Sequence, residues 1–293
     1  MKIIYAFTCH RMTNPLIHTV NYLSSFPENI ILIHVDKKSN LKDFETLKNS
    51  NVYFIPNRID ITWGDETLML ATVELMRFAC NFNYDYFFLL SGDDIPLKTD
   101  AELKSLLSNN SDYNFLYFDV NMTDDKIEQR VRYKHPDVFY KRDSKLITKI
   151  RKKIFHLTRD SFFKNKSLEE NKHRLPKLYK GTNWFGLKAS AIEYILTYIN
   201  DNKWFVDLFK RSFAADEVIF HTIIKTNPEI KIFNHPDYPV PSLRYIDWRS
   251  GPEYPRVLTP DDALKMIASN CFFARKINAN ASSKFMNSFL NER

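Results

Sequence analysis

The sequence contains little glycine, little cysteine and no long apolar run. Five of its 293 residues are glycine and three are cysteine. Cys9, Cys80 and Cys271 are odd in number and far apart, which disfavours a disulfide framework and indicates reduced thiols in a cytoplasmic compartment. No stretch approaches the roughly 20 apolar residues that a membrane-spanning helix requires. The N-terminal apolar run ends at His10 and Arg11, so it predicts a first strand rather than a signal peptide or an anchor.

Aromatic and basic side chains are abundant instead. The chain has 24 Phe and 15 Tyr, and its net charge is +7. Fourteen Lys or Arg against four acids lie between residues 141 and 180. This basic segment is suited to an anionic membrane surface, a nucleic acid or an acidic polymer. The alternative is a solvated insertion with no partner.

Buried strands alternate with helices in the first 120 residues. Continuous apolar runs predict strands, and apolar residues at helical spacing predict the helices between them. The predicted strands are 2–8, 29–36, 51–55, 86–91 and 114–120, and the predicted helices are 14–24, 65–81 and 100–107. Such alternation is typical of βαβ units and of a mostly parallel sheet that binds a nucleotide.

The pattern is lost between residues 121 and 180 and then resumes. A segment at 183–187 precedes a helix for which Ser190 and Glu193 predict a capping box. A further helix is expected to start near Ala215 and to run through Ile219, Ile223 and Ile224. With no internal repeat, the chain is predicted to be one α/β domain with an excursion in the middle.

Two carboxylates follow the most apolar strand. Asp93 and Asp94 come directly after the strand at 86–91, and Pro96 prevents that strand from continuing unchanged. In open α/β sheets, ligands bind at the carboxyl ends of the strands. The pair therefore predicts a ligand site, with a turn-forming role as the alternative. An Asp-Asp pair there also suits Mn²⁺ or Mg²⁺.

Six motifs in order resemble the core-2/I-branching β-1,6-N-acetylglucosaminyltransferases and the peptide O-xylosyltransferases, from about residue 3 to 280. They are HVDKKS at 34–39, ITWGDET at 61–67, FLLSGDDIPLKT at 88–99, GTNWFGL at 181–187, AADEVIFHTI at 214–223 and CFFARKI at 271–277. The resemblance implies a GT-A-type fold, a UDP-sugar donor, inversion at the anomeric carbon and a sugar hydroxyl as acceptor. It also implies that basic side chains replace a metal, so that no cofactor is needed.

The resemblance assigns the phosphate-binding cations to the C-terminal part of the chain. Lys276 matches one position, and Arg256 matches the other across a short gap, with Arg249 and Arg244 as its rivals. A leaving UDP develops negative charge on its β-phosphate, which fixed cations can stabilise in place of a metal. The alternative for Lys276 is a lysine that faces solvent.

The resemblance assigns the catalytic base to Glu217. A position near a helix N-terminus favours the ionised carboxylate, which can accept the proton of the acceptor hydroxyl. Asp216 is expected to cap the helix. The alternative for Glu217 is an ordinary acid of the first helical turn.

The remaining assignments concern the nucleotide and the acceptor. The resemblance assigns nucleotide binding to Asp36, Trp63, Gly64 and Asp94 in addition to the cations. Glu128, Arg130 and Arg132 lie in a charged run that corresponds to the acceptor-recognising loop of the family. Trp184, Tyr245 and Trp248 are also predicted to bind the acceptor, because aromatic rings stack on sugars.

Taken together, the sequence predicts an inverting glycosyltransferase with residues 1–120 as its nucleotide-binding half. Residues 121–180 are the basic, acceptor-side excursion, and residues 181–293 are the catalytic and phosphate-binding half. The predicted donor sugar is N-acetylglucosamine, with UDP-xylose, UDP-glucose or UDP-glucuronate as alternatives. A non-enzymatic polyanion- or membrane-binding module is the alternative from another class. The expected partners are the UDP-sugar and an acceptor glycan, without nucleic acid. The expected location is cytoplasmic, with peripheral contact to an anionic membrane or a lipid-linked acceptor.

Overall fold

A computed structural model describes residues 1–143, 145–251 and 255–290. Every predicted site residue lies inside these ranges, whereas residue 144 of the basic segment lies outside them. Within them the chain forms eight strands and twelve α-helices. No helix in this part of the chain is long and apolar enough to cross a bilayer.

The strands are β1 (Ile3–Cys9), β2 (Ile30–Val35), β3 (Val52–Phe54), β4 (Tyr86–Ser91), β5 (Ile95–Pro96), β6 (Gly186–Lys188), β7 (Arg244–Ile246) and β8 (Phe273–Arg275). The helices of the first half are α1 (Asn14–Ser24), α2 (Thr67–Ala79), α3 (Asp100–Asn109), α4 (Asp124–Arg132), α5 (Asp137–Tyr140) and α6 (Leu146–Phe162). Those of the second half are α7 (Lys166–Asn171), α8 (Ala189–Asp201), α9 (Lys203–Leu208), α10 (Ile219–Lys225), α11 (Ala263–Ala268) and α12 (Ser283–Asn287).

The central sheet has five strands in the order β3-β2-β1-β4-β6. The first four strands run parallel, and β6 pairs antiparallel with β4. Every residue of β4 is buried, as predicted for a strand between two neighbours. A smaller sheet, β5-β8-β7, carries the C-terminal part of the chain. The prediction of a mixed, mostly parallel α/β sheet is confirmed, and it is consistent with a GT-A-type domain.

Helices cover both faces of the central sheet. Because side chains alternate along a strand, Ile4 and Ala6 of β1 join one apolar cluster, while Tyr5 and Phe7 join the other. The first cluster includes the apolar faces of α2, α8 and α10, and the second includes those of α1 and α3. The sheet is thus held between two helical layers, and its carboxyl edge remains open to loops.

Several local predictions are wrong in instructive ways. The predicted strand at 114–120 forms single bridges, in which Phe115 pairs with Gly186 and Phe118 with Gly181, so that no continuous ladder develops. The predicted capping box fails because α8 begins with Lys188 as its N-cap, which leaves Ser190 inside the helix. Helix α1 is capped by Thr13, whose hydroxyl accepts from the backbone N–H of Leu16.

The segment 121–180 is helical rather than irregular. It contains α4 to α7, and α6 alone has 17 residues. Charged side chains interrupt its helical pattern, and only Thr148 and Phe155 of α6 are buried. The sequence pattern therefore failed to identify α6, a helix whose apolar residues mostly face solvent.

Candidate functional site

A cavity of about 730 Å³ opens at the carboxyl ends of β1 and β4. Thr8 and Cys9 are the last residues of β1, and Ser91 is the last residue of β4. Asp93 lines the same space. The loop at 180–184, the turn before α10 and the residues after β8 complete the walls.

Glu217 lies in one wall, between two basic side chains. Its Oε2 is 3.0 Å from Arg130 Nη1 and 3.3 Å from Lys180 Nζ. Lys180 also lies 3.6 Å from Asp119 Oδ2. The carboxylate is thus held by charge from two separate segments, α4 and the loop before β6.

The backbone fixes the position of this glutamate. Ala214 adopts a left-handed conformation with φ +52°, and its N–H donates to Gly64 O at 2.7 Å. The 3₁₀ turn Ala215–Glu217 follows, and the N–H of Gly181 donates to Glu217 O at 3.0 Å. Gly64 has φ +85°, which favours glycine, and its Cα faces Phe213. Gly64 therefore supports the turn that carries Glu217 and does not line the cavity.

Asp216 lines the cavity from a more buried position. Burial and the neighbouring charge of Glu217 raise the pKa of Asp216 from 3.8 to about 7. It is not the predicted cap, because α10 begins after Val218 without a side-chain capping bond. The site therefore holds two adjacent carboxyl groups in different environments.

Asp93 and Lys276 meet in the opposite wall. Lys276 Nζ lies 3.5 Å from Asp93 Oδ2, and Arg11 Nη2 lies 3.7 Å from Asp93 Oδ1. The backbone N–H of Ile277 donates to Asp93 O at 3.0 Å, which ties the segment after β8 to the tip of β4. Arg275 lines the same wall and stacks over Trp184 at 4.1 Å.

Asp94 turns away from the cavity, contrary to its predicted contact with the nucleotide. It is fully buried, and it accepts from the backbone N–H of Ser91 at 2.6 Å and from the guanidinium of Arg244. Arg244 is itself 2% exposed and also donates to Leu89 O at 3.0 Å. This buried ion pair braces the strand tip, so Arg244 is not a phosphate ligand.

Arg256 does not line the cavity, although Pro255 and Val257 do. Its guanidinium lies 3.2 Å from Asp262 Oδ1 and donates to Ser250 O at 3.3 Å. Its rival Arg249 is exposed and does not line the cavity either. The structure therefore does not bring the predicted second cation into the cavity lining.

Three further predicted residues lie outside the cavity lining. Asp36 is directly beside it, where its N–H donates to Cys9 O at 2.8 Å, but its carboxylate accepts from Lys38 N at 2.9 Å. Glu128 and Arg132 are four residues apart on α4 and pair at 3.0 Å. Arg130 lies on another face of that helix, because successive helical residues are rotated by about 100°.

The predicted aromatic residues divide in the same way. Trp63 and Trp248 line the cavity and are about half exposed, and Trp184 lines it from a buried position. Arg142 lies 3.2 Å from the centre of the Trp63 ring. Tyr245 belongs to β7 of the smaller sheet and packs instead against an apolar cluster that includes Leu258, Met266 and Ala274.

The structure thus brings only part of the predicted set together. The predicted residues that line the cavity are Trp63, Arg130, Trp184, Glu217, Trp248 and Lys276. Those that do not are Asp36, Gly64, Asp94, Glu128, Arg132, Tyr245 and Arg256. Sequence reasoning missed Arg11, Asp119, Lys180 and Arg275. Lys180 directly precedes the GTNWFGL motif and Arg275 lies within CFFARKI, so the motifs pointed to these two positions.

Positive charge dominates the cavity lining. Its basic residues are Arg11, Arg130, Arg142, Lys180, Arg275 and Lys276, and its acids are Asp93, Asp119, Asp216 and Glu217. Cations that converge on a partly enclosed space favour an anionic ligand such as a nucleoside diphosphate. Among the described residues, no group of three or more His, Cys, Asp or Glu is arranged to hold a metal ion.

A sequence model of the core-2/I-branching enzyme family matches residues 3–267. The chain belongs to the core-2/I-branching enzyme family. Membership confirms the resemblance on which the site predictions rest.

The relatives that this family member matches carry two donor specificities in their names. It is 26% identical over 272 residues to beta-glucuronosyltransferase GlcAT14A of Arabidopsis thaliana. This alignment covers 85% of the chain and 55% of the plant protein. It is 22% identical over 287 residues to xylosyltransferase 2 of Pan troglodytes, covering 88% and 30% respectively. Xylosyltransferase 1 of Homo sapiens is 33% identical over 96 residues, or 30% of the chain and 10% of that protein. The chain spans about half or less of the length of these relatives.

Proposed function

We propose that this core-2/I-branching family member is an inverting glycosyltransferase that moves a sugar from a UDP-sugar to a hydroxyl of an acceptor glycan. The observation that carries the proposal is that Glu217 and Lys276, from distant parts of the chain, line the same cavity. A base and a phosphate-binding cation must share one space for direct displacement. Family membership supports the reaction class.

Lys276 is the proposed ligand of the departing diphosphate. Its Nζ lies 3.5 Å from Asp93, and Arg11 and Arg275 line the same wall. Negative charge grows on the β-phosphate as the bond to the sugar breaks, and fixed cations stabilise that charge. We assign Arg275 or Arg11 the supporting role that the resemblance implied for Arg256.

Glu217 is the proposed general base. Both of its ion pairs are made by Oε2, so we assign Oε1 as the atom that accepts the proton. The acceptor oxygen forms a bond to the anomeric carbon while the carbon–oxygen bond to UDP breaks on the opposite side. The hydroxyl proton passes to Glu217, and the configuration at the anomeric carbon inverts.

The Glu217→Gln variant tests this role. The amide keeps the shape of the side chain but cannot act as a base. Loss of a general base typically lowers the rate by roughly two to four decades. We expect UDP binding to persist in calorimetry while UDP release during transfer falls by that factor. Glu128→Gln is the matched control, since Glu128 lies outside the cavity. Near wild-type turnover by Glu217→Gln would refute the assignment.

The donor sugar is proposed to be N-acetylglucosamine, with UDP-glucuronate and UDP-xylose as alternatives suggested by the names of the relatives. UDP-glucose is a further alternative. A panel of these four donors, scored by UDP release with and without acceptor glycans, separates them. A donor other than UDP-N-acetylglucosamine with the highest kcat/KM would replace the first choice.

Transfer without a divalent metal is part of the proposal. Asp93 faces Arg11 and Lys276, and Asp94 faces Arg244, so each carboxylate of the strand tip is already directed at cations. These two carboxylates suit a metal ion poorly, because the neighbouring Arg and Lys side chains repel a metal cation. Full activity in excess EDTA is the expected result. Complete loss that Mn²⁺ restores would overturn this part.

Peripheral membrane contact is also proposed, for a cytoplasmic enzyme whose acceptor is lipid-linked. It is favoured over a non-catalytic polyanion-binding module because such a module leaves the paired Glu217 and Lys276 walls unexplained. Salt-sensitive polyanion binding that survives loss of both residues, in a chain without transfer activity, would favour the module instead.

A further inference from the structure

Helix α6 presents an unusual apolar stripe to solvent. Leu146, Ile150, Ile154 and Leu157 are 74%, 49%, 53% and 75% exposed. At helical spacing these positions, with Ile147, fall within an arc of about 100°. The opposite face holds Thr148 and Phe155, which are the buried residues of the helix. The stripe therefore points directly away from the body of the protein.

Basic side chains border this stripe. Lys149 and Lys153 lie along one edge and Arg151 along the other, and all three are exposed. The whole helix carries five Lys or Arg and one acid, Asp160. An apolar stripe with basic borders is the pattern of helices that lie in the interface of an anionic membrane.

We propose that α6 binds the surface of an anionic lipid bilayer, with its apolar stripe in the acyl boundary and Lys149, Arg151 and Lys153 at the phosphate groups. Charge decides against a second copy of this chain as the occupant. Two α6 helices packed along their stripes would bring like charges together, whereas anionic lipid supplies the opposite charge. Burial of four large apolar side chains adds attraction that does not depend on salt.

The proposed membrane surface is coupled to the cavity by aromatic contacts. Phe155 packs on Phe139 at 5.4 Å, and Phe139 packs on Phe213 at 5.5 Å. Phe213 contacts Trp63, whose ring lines the cavity. A bilayer on α6 would therefore lie near this wall, which suits an acceptor glycan carried by a membrane lipid. The link to an acceptor glycan on a membrane lipid rests on the proposed transfer reaction, while the lipid binding itself does not.

Vesicle flotation of the full chain tests the proposal. The probes are neutral phosphatidylcholine vesicles and vesicles with about 30% phosphatidylglycerol, compared at low and high salt. We expect binding to the anionic vesicles only. Ile150→Asp with Ile154→Asp, and separately Lys149→Glu with Lys153→Glu, should each weaken binding by at least about tenfold. The control pair is Leu264→Asp with Lys265→Glu, on the exposed face of α11.

Each outcome separates the alternatives. Equal binding by the α6 variants and the control would overturn the proposal, as would equal binding to neutral and anionic vesicles. Light scattering that finds a dimer dependent on Ile150 and Ile154, without vesicle binding, would identify a second copy as the occupant. UDP-sugar cleavage measured without vesicles should be unchanged in the α6 variants. Absence of UDP release with every donor and soluble acceptor glycan in the wild type, with vesicle binding intact, would refute the proposed transfer reaction and leave the membrane surface standing.

Discussion

The two walls of the cavity each place one carboxylate between two cations, but with different tightness. Glu217 lies 3.0 and 3.3 Å from Arg130 and Lys180, whose side chains are 17% and 12% exposed. Asp93 lies 3.5 and 3.7 Å from Lys276 and Arg11, whose side chains are 35% and 50% exposed. The Glu217 wall, called the tight wall, has the shorter distances and the more buried cations. The Asp93 wall, called the loose wall, has the longer distances and the more exposed cations, although Asp93 itself is 11% and Glu217 27% exposed.

This difference matches two chemical tasks. Lys276 and Arg11 are more exposed than the cations of the tight wall and lie farther from their carboxylate, so an incoming phosphate can compete with Asp93 for Lys276. A general base must instead keep its position through the reaction, which buried cations from two segments enforce for Glu217. The loose wall is therefore suited to an anion that arrives and leaves, and the tight wall to a proton acceptor that stays.

Among the cations of the two walls, the largest effect on kcat is expected from Lys276 in the loose wall. Lys276→Ala removes the cation proposed to stabilise the leaving group, so kcat should fall by roughly 10²–10³. Lys276→Arg should recover part of the loss because it restores the charge. Lys284→Ala, an exposed lysine nearby in sequence, is the control. Steady-state UDP release measures kcat. An unchanged kcat for Lys276→Ala would show that Lys276 does not stabilise the leaving group.

A steric contrast between two glycines sharpens the comparison. A Cβ on Gly181 would lie 1.8 Å from Tyr117 O and 2.2 Å from His221 Nε2, whereas one on Gly92 would lie 3.2 Å from Cys9 Cβ. Gly181→Ala should therefore destabilise the fold by about 3 kcal/mol or more, and Gly92→Ala by about 1 kcal/mol. Denaturant unfolding measures both. Similar losses for the two variants would mean that the tight wall adapts as easily as the loose one.

The sequence predicted the parts of this molecule whose signal is local. The apolar run at 86–91 and the helical spacing in 65–81 identified β4 and α2, because burial dictates residue type along each element. Lys276 and Glu217 were found through motifs, and the structure confirms only that they share a cavity.

Side-chain partners could not be predicted because they depend on contacts between distant segments. Asp93 and Asp94 are adjacent in sequence, yet one lines the cavity and the other is buried against Arg244. Arg256 is directed away by Asp262, six residues later, in a turn that the pattern did not reveal. Helix α6 was missed although its apolar residues lie at helical spacing, because the basic residues between them made the segment resemble a charged excursion.

A smaller effect is expected from the cations of the tight wall. Arg130→Ala should lower kcat by roughly ten- to a hundredfold, because Glu217 loses one of the two groups that hold it in place. Arg132→Ala is a matched control on the same helix, since Arg132 pairs with Glu128 and Asp125 outside the cavity. Steady-state kinetics of both variants give the comparison. Equal losses would attribute the effect to the helix rather than to the Glu217 contact.

A further effect concerns stability and depends on pH. The pKa of Asp216 rises from 3.8 to about 7 in the folded protein, so between these values the folded state keeps a proton that the unfolded state has released. The free energy of unfolding of the wild type therefore falls as pH rises through this window. Asp216→Asn removes the ionisation, so its stability advantage should grow with pH and level off above pH 7 at about 2–4 kcal/mol.

Thermal unfolding at about pH 4.5 and about pH 8 measures this gap, which should correspond to several degrees at the higher pH. Asp124→Asn is the control, because that carboxylate is 72% exposed, so its replacement should change stability little at either pH. A gap between Asp216→Asn and wild type that stays constant with pH would mean that the ionised Asp216 is stabilised in place. The tight wall would then hold two negative charges beside Arg130 and Lys180, and its contrast with the loose wall would be one of charge as well as of packing.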